Sequence, residues 1–137
     1  MSDIDGIQFE IPGEPIGKGR PRFVRATGRA FTPQRTRTYE AVVKDFAYQA
    51  MAGRKPFEGP LRMIIEAEYL PPKSWSKKRQ SAASWKITKP DADNLAKAVC
   101  DSLNGVVFVD DCQVADVRVT KTYAGVARLV VIVEPLL

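Results

Sequence analysis

Two pairs of aspartates in the second half of the chain have a spacing that suits metal-ion chemistry. Asp91 and Asp93 form a D-x-D pair within KPDADNLAKAV, and Asp110 and Asp111 are adjacent within FVDDCQV. Carboxylate oxygens are the ligands that Mg²⁺ prefers in proteins, and a magnesium site needs only a few of them. Lys97 follows Asp93 by one helical turn, where an ammonium group can orient a water or neutralise charge developing on a phosphate. The spacing predicts a phosphodiester-cleaving site in which Asp110 or Asp111 joins Asp91 and Asp93.

Each of these residues also has a simpler structural interpretation. Asp91 can be the N-cap of a helix, because its side chain can accept hydrogen bonds from the free amides of the first turn. Asp93 and Lys97 can form an exposed ion pair one turn apart, worth about 0.3–0.5 kcal/mol. Asp110 and Asp111 can be turn residues, since aspartate tolerates turn geometry. It is the conjunction of these features with the charge pattern that favours a nuclease site.

The chain contains no histidine and only two cysteines, Cys100 and Cys112, and this composition excludes several classes of enzyme. Nucleophiles activated by histidine, and zinc sites built on histidine, need a residue that is absent. Two cysteines are too few for the usual thiolate zinc site or for a disulfide framework. Catalysis by this chain therefore has to use carboxylates, lysines, hydroxyl groups or a hard metal ion.

The formal net charge is +5, and the cations are concentrated in two segments without acidic residues. In the first basic segment, residues 17–38, the candidate DNA-contacting cations are Lys18, Arg20, Arg22, Arg25, Arg29, Arg35 and Arg37. In the second basic segment, residues 73–89, they are Lys73, Lys77, Lys78, Arg79, Lys86 and Lys89. From residue 91 onward the balance reverses, with four cations and seven acids. Two basic segments beside an acidic cluster indicate a polyanion held over a carboxylate site.

Hydrophobic periodicity predicts a mixture of strands and helices in one domain that spans residues 1–137. Strands are expected at residues 6–11, 61–70 and 106–109, followed by a closing antiparallel hairpin at 113–123 and 126–134. The first basic segment is rich in Gly and Pro and is expected to be a loop or a short irregular hairpin. This mixture favours the α+β class, with a mixed or antiparallel sheet and two main helices.

The two main helices are predicted at residues 39–51, with Thr38 as N-cap, and at residues 92–103, with Asp91 as N-cap. Gly53 and the Asn104-Gly105 pair are the expected C-terminal stops. A short helix is also predicted at residues 77–83. In the 92–103 helix, Asp93 and Lys97 fall on one face. The opposite face carries Leu95, Ala98, Val99, Ser102 and Leu103.

We expect a protein without membrane segments and with a cytoplasmic location. No run of about 18 apolar residues is present. The N-terminus, MSDIDGIQFE, is acidic and lacks the apolar core of a secretion signal. Two cysteines without a disulfide framework are typical of a reducing compartment.

The segment KPDADNLAKAVCDSLNGVVFVDDCQVADVRVTK resembles the signature of the RusA family of Holliday-junction resolvases. That signature is a D-x-D-N-x-x-K helix, an apolar stretch and then D-D-x-Q. The matching residues here are Asp91, Asp93, Asn94, Lys97, Asp110, Asp111 and Gln113. The segment GKGRPRFVRATGRAFTPQRTRTYE also resembles the basic opening of phage-type members. The resemblance extends over roughly residues 9–133, and no motif position is replaced.

The resemblance implies an α+β, Mg²⁺-dependent endodeoxyribonuclease that makes paired symmetric nicks in four-way junctions during DNA recombination and repair. It implies catalytic, metal-binding carboxylates at Asp91, Asp93 and Asp111, with Mn²⁺ as an expected substitute for Mg²⁺. It implies an essential lysine at Lys97, and it selects Asp111 over Asp110. The expected partners are branched DNA and a second copy of the chain as a homodimer, with no membrane and no nucleotide cofactor.

Two other functions fit the same residues. A broader nuclease would cut flaps and forks as well as four-way junctions. A DNA junction-binding module without catalysis would use the carboxylates as caps and turns. Metal dependence distinguishes the last of these, because a pure binding module never nicks DNA.

Overall fold

A computed structural model describes residues 6–19 and 34–137, together with the backbone of residues 22–24 and 29–31. In chain order its elements are β1 (Ile7–Pro12), β2 (Arg22–Val24), β3 (Arg29–Phe31), α1 (Gln34–Met51), β4 (Leu61–Tyr69), α2 (Lys77–Ala82), α3 (Ala92–Leu103), a 3₁₀ turn (Asp111–Gln113), β5 (Val114–Tyr123) and β6 (Arg128–Pro135). Four strands form one sheet in the order β1-β6-β4-β5. β4 and β5 are parallel, while β6 runs antiparallel to both β1 and β4. The sheet is therefore mixed, and the predicted α+β class is confirmed.

One face of this sheet carries the hydrophobic core, and α1 and α3 cover it. Every second residue of β1 and β4 is buried, as expected for strands with one face on a core. The strands contribute buried residues such as Ile11, Met63 and Val131, and the helices contribute Val43 and Leu95. Burial of one such side chain stabilises the fold by about 1.5–3 kcal/mol. This packing fixes α3 on the sheet and so positions the residues on its outer face.

The predicted bounds and buried face of α3 are confirmed. Its buried residues are Leu95, Ala98, Val99, Ser102 and Leu103. Gly105 follows with a φ of 79°, a conformation that glycine adopts without strain, so the predicted stop is confirmed. Asp91 occupies the N-cap position, and its backbone carbonyl accepts a hydrogen bond from the Leu95 amide at 3.1 Å. Its side chain makes no capping hydrogen bond, so the capping role predicted for the carboxylate is wrong.

The first main helix begins earlier than predicted. α1 begins at Gln34, so Thr38 lies inside the helix and is not its N-cap. The first turn is held by polar side chains, since Gln34 Nε2 donates to Thr38 Oγ1 at 3.2 Å and Arg37 donates to Gln34 Oε1 at 2.6 Å. A polar turn has no apolar periodicity, and the sequence pattern therefore missed it. The predicted stop at Gly53 is confirmed by its φ of 81°.

The predicted closing hairpin is wrong. β5 and β6 lie close to the predicted ranges, but β4 lies between them and pairs with both. β4 has the buried residue pattern of a central strand, whereas β5 is half-buried or exposed along its length, as suits an edge. Periodicity identifies strands but does not specify their neighbours, which explains the error.

The strand predicted at residues 106–109 is also wrong, because these residues form a turn after α3. Val107 and Phe108 are fully buried in this turn, which accounts for the apolar run. The Phe57 amide donates to the Val107 carbonyl, and the Gly105 amide donates to the Phe108 carbonyl, both at 2.8 Å. These hydrogen bonds hold the turn in place and thereby fix the position of the chain where Asp110 begins.

Two lesser predictions are confirmed. The short helix predicted at residues 77–83 is α2, and the first basic segment contains the antiparallel pair β2 and β3. Within the part of the chain that the structure describes, no helix has both the length and the apolar character needed to cross a membrane.

Candidate active site

The D-x-D carboxylates are exposed at the start of α3. Asp91 is the N-cap residue and Asp93 lies in the first turn, and both side chains face solvent. The ion pairs among the described residues use other acids, namely Glu10, Glu40, Glu68, Asp101 and Asp116. The surface pair of Asp93 with Lys97 is therefore not formed. Asp91 and Asp93 keep their carboxylate oxygens free of ion pairs within this part of the chain, as cation ligands require.

Asp111 lies beside the same helix, because it begins a 3₁₀ turn that packs against α3. The pKa of Cys100 on α3 is raised to about 11, first by burial and then by the charge of Asp111, while Lys97 acts in the opposite direction. Lys97 precedes Cys100 on α3 by less than one helical turn, and Asp111 lies on the turn that packs against this helix. Cys100 shares the outer face of α3 with Asp93, so these side chains follow one another along that face.

The carboxylates are spread along α3 and are not gathered at one point. Asp91 and Asp93 lie at the start of α3, whereas Asp111 lies on the 3₁₀ turn that follows the C-terminal end of this helix in the chain. Among residues 6–19 and 34–137, no three Asp, Glu or Cys side chains come close enough to hold one metal ion. The described chain thus places Asp93 and Lys97 on one face of α3, Asp91 at the start of the helix and Asp111 on a turn packed against it, without assembling a three-carboxylate centre.

Gln113 holds the turn that carries Asp110 and Asp111. Its Oε1 accepts hydrogen bonds from the amides of Val109 at 2.9 Å and Asp110 at 3.0 Å. Its Nε2 donates to the carbonyls of Phe57 at 2.9 Å and Gly59 at 3.0 Å. One side chain thus ties the turn to the loop before β4. The glutamine of the D-D-x-Q motif therefore positions the neighbouring aspartates.

A cleft of about 430 Å³ opens directly beside Asp91. Its walls are the loop after β1, the first turn of α1 and the connection that leads into α3. The Lys18 amide donates to the Asn94 carbonyl at 2.9 Å, which ties the loop to α3. A Cβ on Gly17 would lie 2.8 Å from Cβ of Pro90, so only glycine lets the loop approach this closely.

Lys18, predicted to contact DNA, is engaged inside the protein. Its Nζ lies 2.9 Å from the carboxylates of Glu40 on α1 and Asp101 on α3, and its side chain is 15% exposed. Burial by itself would lower the pKa of Lys18, but hydrogen bonds to Glu40 and Asp101 and their charges outweigh burial and raise it. Lys18 thus joins the loop beside Asp91 to both helices, and its contact with DNA stays a prediction.

Comparison with known proteins identifies the family. The family model described as "Endodeoxyribonuclease RusA" matches residues 12–134. The chain belongs to the RusA endodeoxyribonuclease family. It is also 33% identical over 142 residues to the protein named "Uncharacterized protein YqaN" of Bacillus subtilis (strain 168), with 96% of this chain and 97% of that protein covered. The match spans every motif residue, so the RusA resemblance drawn from the sequence is confirmed.

In this RusA-family chain, the thirteen cations predicted to contact DNA fall into three groups. The side chains of four lie outside the described residues: Arg20, Arg22, Arg25 and Arg29. Seven are exposed: Arg35, Arg37, Lys73, Lys77, Lys78, Arg79 and Lys89. Lys18 and Lys86 are half-buried. Two of the exposed cations, Arg35 and Lys89, line the same cleft as Asp91 and place positive charge near that carboxylate.

Lys121 supports the candidate site, although it is not one of the residues of the RusA motif. It lies on β5, and its Nζ donates to the carbonyls of Thr88 at 2.8 Å and Pro90 at 2.7 Å. These bonds hold the chain immediately before Asp91. Its partners are 33 and 31 residues away in the sequence, so no local pattern could have marked it.

Proposed function

We propose that this chain is a Mg²⁺-dependent endodeoxyribonuclease that resolves four-way DNA junctions by paired symmetric nicks, in recombination and repair. The observation that carries the proposal is the D-x-D pair of Asp91 and Asp93, exposed at the start of α3 beside a cleft lined by cations. Membership of an endodeoxyribonuclease family supports the reaction type. The four-way junction as substrate rests on the motif resemblance.

The donor chemistry of the site fits a hard cation. Mg²⁺ is usually bound by one or two carboxylates, with waters and substrate phosphates completing its coordination, so Asp91 and Asp93 suffice as protein ligands. Asp111 is our candidate for a third ligand, and Mn²⁺ is the expected substitute for Mg²⁺. When bound, such an ion activates a water as nucleophile and stabilises the leaving oxygen of a phosphodiester.

The chain's own residues supply positioning and charge. Lys97 lies on the face of α3 that carries Asp93, where its ammonium can neutralise charge that develops on the phosphate. Gln113 keeps Asp111 in place beside α3. The expected products carry a 5′-phosphate and a 3′-hydroxyl, so the nicks are ready for ligation.

The exposed cations of the two basic segments are proposed to hold the phosphate backbones of the DNA. Such contacts orient a duplex without reading its sequence. A homodimer is proposed because a four-way junction has approximate two-fold symmetry and needs two symmetric cuts, which two equivalent subunits provide.

Cleavage of a synthetic four-way junction, with and without Mg²⁺, tests the proposal beside a linear duplex, a flap and a fork. Asp91→Asn, Asp93→Asn and Asp111→Asn should each bind the junction but fail to nick it. Asp116→Asn is the matched control, because Asp116 pairs with Arg62 on the sheet and has no proposed part in the reaction.

Metal-dependent paired nicks confined to the junction would support the proposal. A variant that cuts at the normal rate would remove its residue from the site. Equal cutting of flaps and forks would widen the substrate to branched DNA in general. Binding without nicking under any divalent metal would leave a DNA-binding module and contradict the proposal.

A further inference from the structure

Two large apolar side chains project from the second basic segment shortly before Asp91. Trp85 is 67% exposed and Ile87 is 91% exposed. Exposed single apolar residues are common on protein surfaces, but a large aromatic and a large aliphatic residue two positions apart form a small apolar tip. This tip, Trp85 with Ile87, lies in a stretch that carries six cations and no acid.

The tip is held on the outer edge of β5. Trp85 forms an antiparallel bridge with Thr122 of that strand. The Tyr123 amide donates to the Ser84 carbonyl at 2.8 Å, and the Lys86 amide donates to the Lys121 carbonyl at 3.0 Å. The backbone on both sides of Trp85 is therefore hydrogen-bonded to β5, and these bonds fix the position from which the exposed ring projects.

Lys86 adds a side-chain anchor to these backbone bonds. Its Nζ lies 4.8 Å from the ring centroid of Tyr69 and 5.6 Å from that of Tyr123. Such cation–π contacts stabilise the position of Lys86 against the sheet. Since side chains alternate along an extended chain, Lys86 faces the sheet while its neighbour Trp85 turns away from those rings.

The tip is also tied to the acidic pair. Lys121 binds the carbonyls of Thr88 and Pro90, between Ile87 and Asp91. Six residue steps separate Trp85 from Asp91. An extended chain covers at most about 3.5 Å per step, so the tip lies within about 20 Å of Asp91. DNA that reaches the acidic pair is therefore within reach of the tip.

The two tryptophans of the second basic segment differ in their surroundings. The guanidinium of Arg79 lies 3.7 Å from the ring centroid of Trp75, and the ring of Tyr123 contacts Trp75 edge-on at 5.4 Å. Both contacts occupy Trp75, whereas Trp85 presents its ring to solvent. Of these two, Trp85 is therefore the one available to a ligand.

The positive charge of the segment that carries the tip favours a nucleic acid with accessible bases as the partner. Lys73, Lys77, Lys78, Arg79 and Lys89, which belong to the same basic segment, are all exposed. Cations that attract phosphates, combined with a free aromatic ring, form the usual platform for unpaired or terminal bases, and each stacked base contributes about 1–3 kcal/mol. A second copy of this chain would bring the same positive charge, so it fits this surface less well.

We propose that Trp85 and Ile87 contact the bases exposed at the branch point of DNA and thereby select branched over linear substrates. This inference rests on the proposed function and deepens it. At a branch point, the terminal base pair of an arm has lost a stacking neighbour, so a side chain can take its place. In a linear duplex the same contact requires two base pairs to unstack, which costs free energy that the branch point does not require. The tip therefore favours the branch.

The test compares affinity for a four-way junction and for a linear duplex, measured without divalent metal so that no strand is cut. Trp85→Ala should weaken junction binding by about 5- to 150-fold, the equivalent of one stacked base. Binding to the linear duplex should not change, and Trp85→Phe should restore much of the junction affinity. Tyr48→Ala is the matched control, because Tyr48 on α1 is 68% exposed and lies outside the proposed site.

A fluorescent adenine analogue provides a second readout. Placed at the branch point, 2-aminopurine should change its emission when wild-type protein binds and not when the Trp85→Ala, Ile87→Ala double variant binds. Placed well inside one arm, it should not respond to either protein. Sedimentation of the same variants monitors their oligomeric state.

Equal weakening of junction and duplex binding, or none, would overturn the inference, as would an unresponsive probe at the branch point. A variant that changes oligomeric state and leaves the junction preference intact would assign the tip to contact between copies. Failure of wild-type protein to prefer or nick the junction would instead overturn the proposed function and the inference with it. That failure is visible before any variant is compared.

Discussion

Replacing Gln113 with glutamate tests whether this residue holds the turn that carries Asp110 and Asp111. The substitution keeps the shape and one oxygen, so the bonds from the amides of Val109 and Asp110 can persist. It removes the Nε2 donor to the carbonyls of Phe57 and Gly59, at 2.9 and 3.0 Å. A carboxylate oxygen then faces two carbonyl oxygens.

The magnitude follows from the two hydrogen bonds that the substitution removes. A hydrogen bond in a folded protein contributes about 0.5–1.5 kcal/mol net, so Gln113→Glu should lower the free energy of unfolding by about 1–3 kcal/mol. The effect should depend on pH. The two carbonyls disfavour the charged glutamate, so its pKa in the folded variant lies above the ordinary value of about 4.3. The loss of stability should therefore grow as pH rises through that ordinary value and shrink below it.

Urea unfolding followed by tryptophan fluorescence measures this change, and junction cleavage by the folded variant measures the displacement of Asp111. Gln8→Glu is the control, since it makes the same charge change at an exposed position of β1. A Gln113→Glu midpoint equal to that of wild type, with unchanged cleavage, would refute the positioning role. A loss of stability that is the same at low and neutral pH would refute the electrostatic part of the reasoning.

Three further predictions concern lysines. Lys18→Met should lower the free energy of unfolding by about 1–3 kcal/mol, because it leaves two partly buried carboxylates without their cation. Urea unfolding measures this change, and an unchanged midpoint would show that the ion pairs of Lys18 are not needed for stability. The double variant Lys77→Ala, Lys78→Ala should weaken binding to junction and duplex alike. In a salt titration, the slope of log affinity against log salt should become smaller by about 0.9 for each phosphate that is no longer neutralised. An unchanged slope would place both residues away from DNA. Lys121→Met should slow junction cleavage more than it weakens junction binding, because Asp91 loses its support; equal effects on the two, measured in single-turnover assays, would contradict this.

The local parts of the fold could be predicted, and the long-range parts could not. The bounds of α3 follow from its apolar spacing and from Asn104-Gly105, which are local signals. The position of β5 beside β4 depends on contacts between distant segments, and the same strand pattern is compatible with either neighbour. The apolar run at residues 106–109 suits a short strand or a buried turn equally, and burial of Phe108 decided between them.

The same division applies to the candidate site. Asp91, Asp93 and Lys97 could be singled out because their chemistry shows in their spacing. The internal ion pairs of Lys18 could not, since a lysine in a basic loop looks the same whether it faces DNA or Glu40. Nor could the sequence show which of the two tryptophans is exposed. They differ because Trp75 packs against Arg79 and Tyr123, whereas Trp85 faces solvent.

Parallel pairing of β4 with β5 has a consequence for when the protein can act. The chain from Trp85 to Gln113 lies within the connection between these two neighbouring strands. A parallel pair cannot be closed by a tight turn, and closure of a long connection costs entropy that is recovered only after the strands pair. Until β5 pairs with β4, the chain before Asp91 lacks the hydrogen bonds that Lys121 of β5 donates to it. We therefore expect a partly synthesised chain that carries the motif, but has not yet paired β5, to lack the proposed nuclease activity.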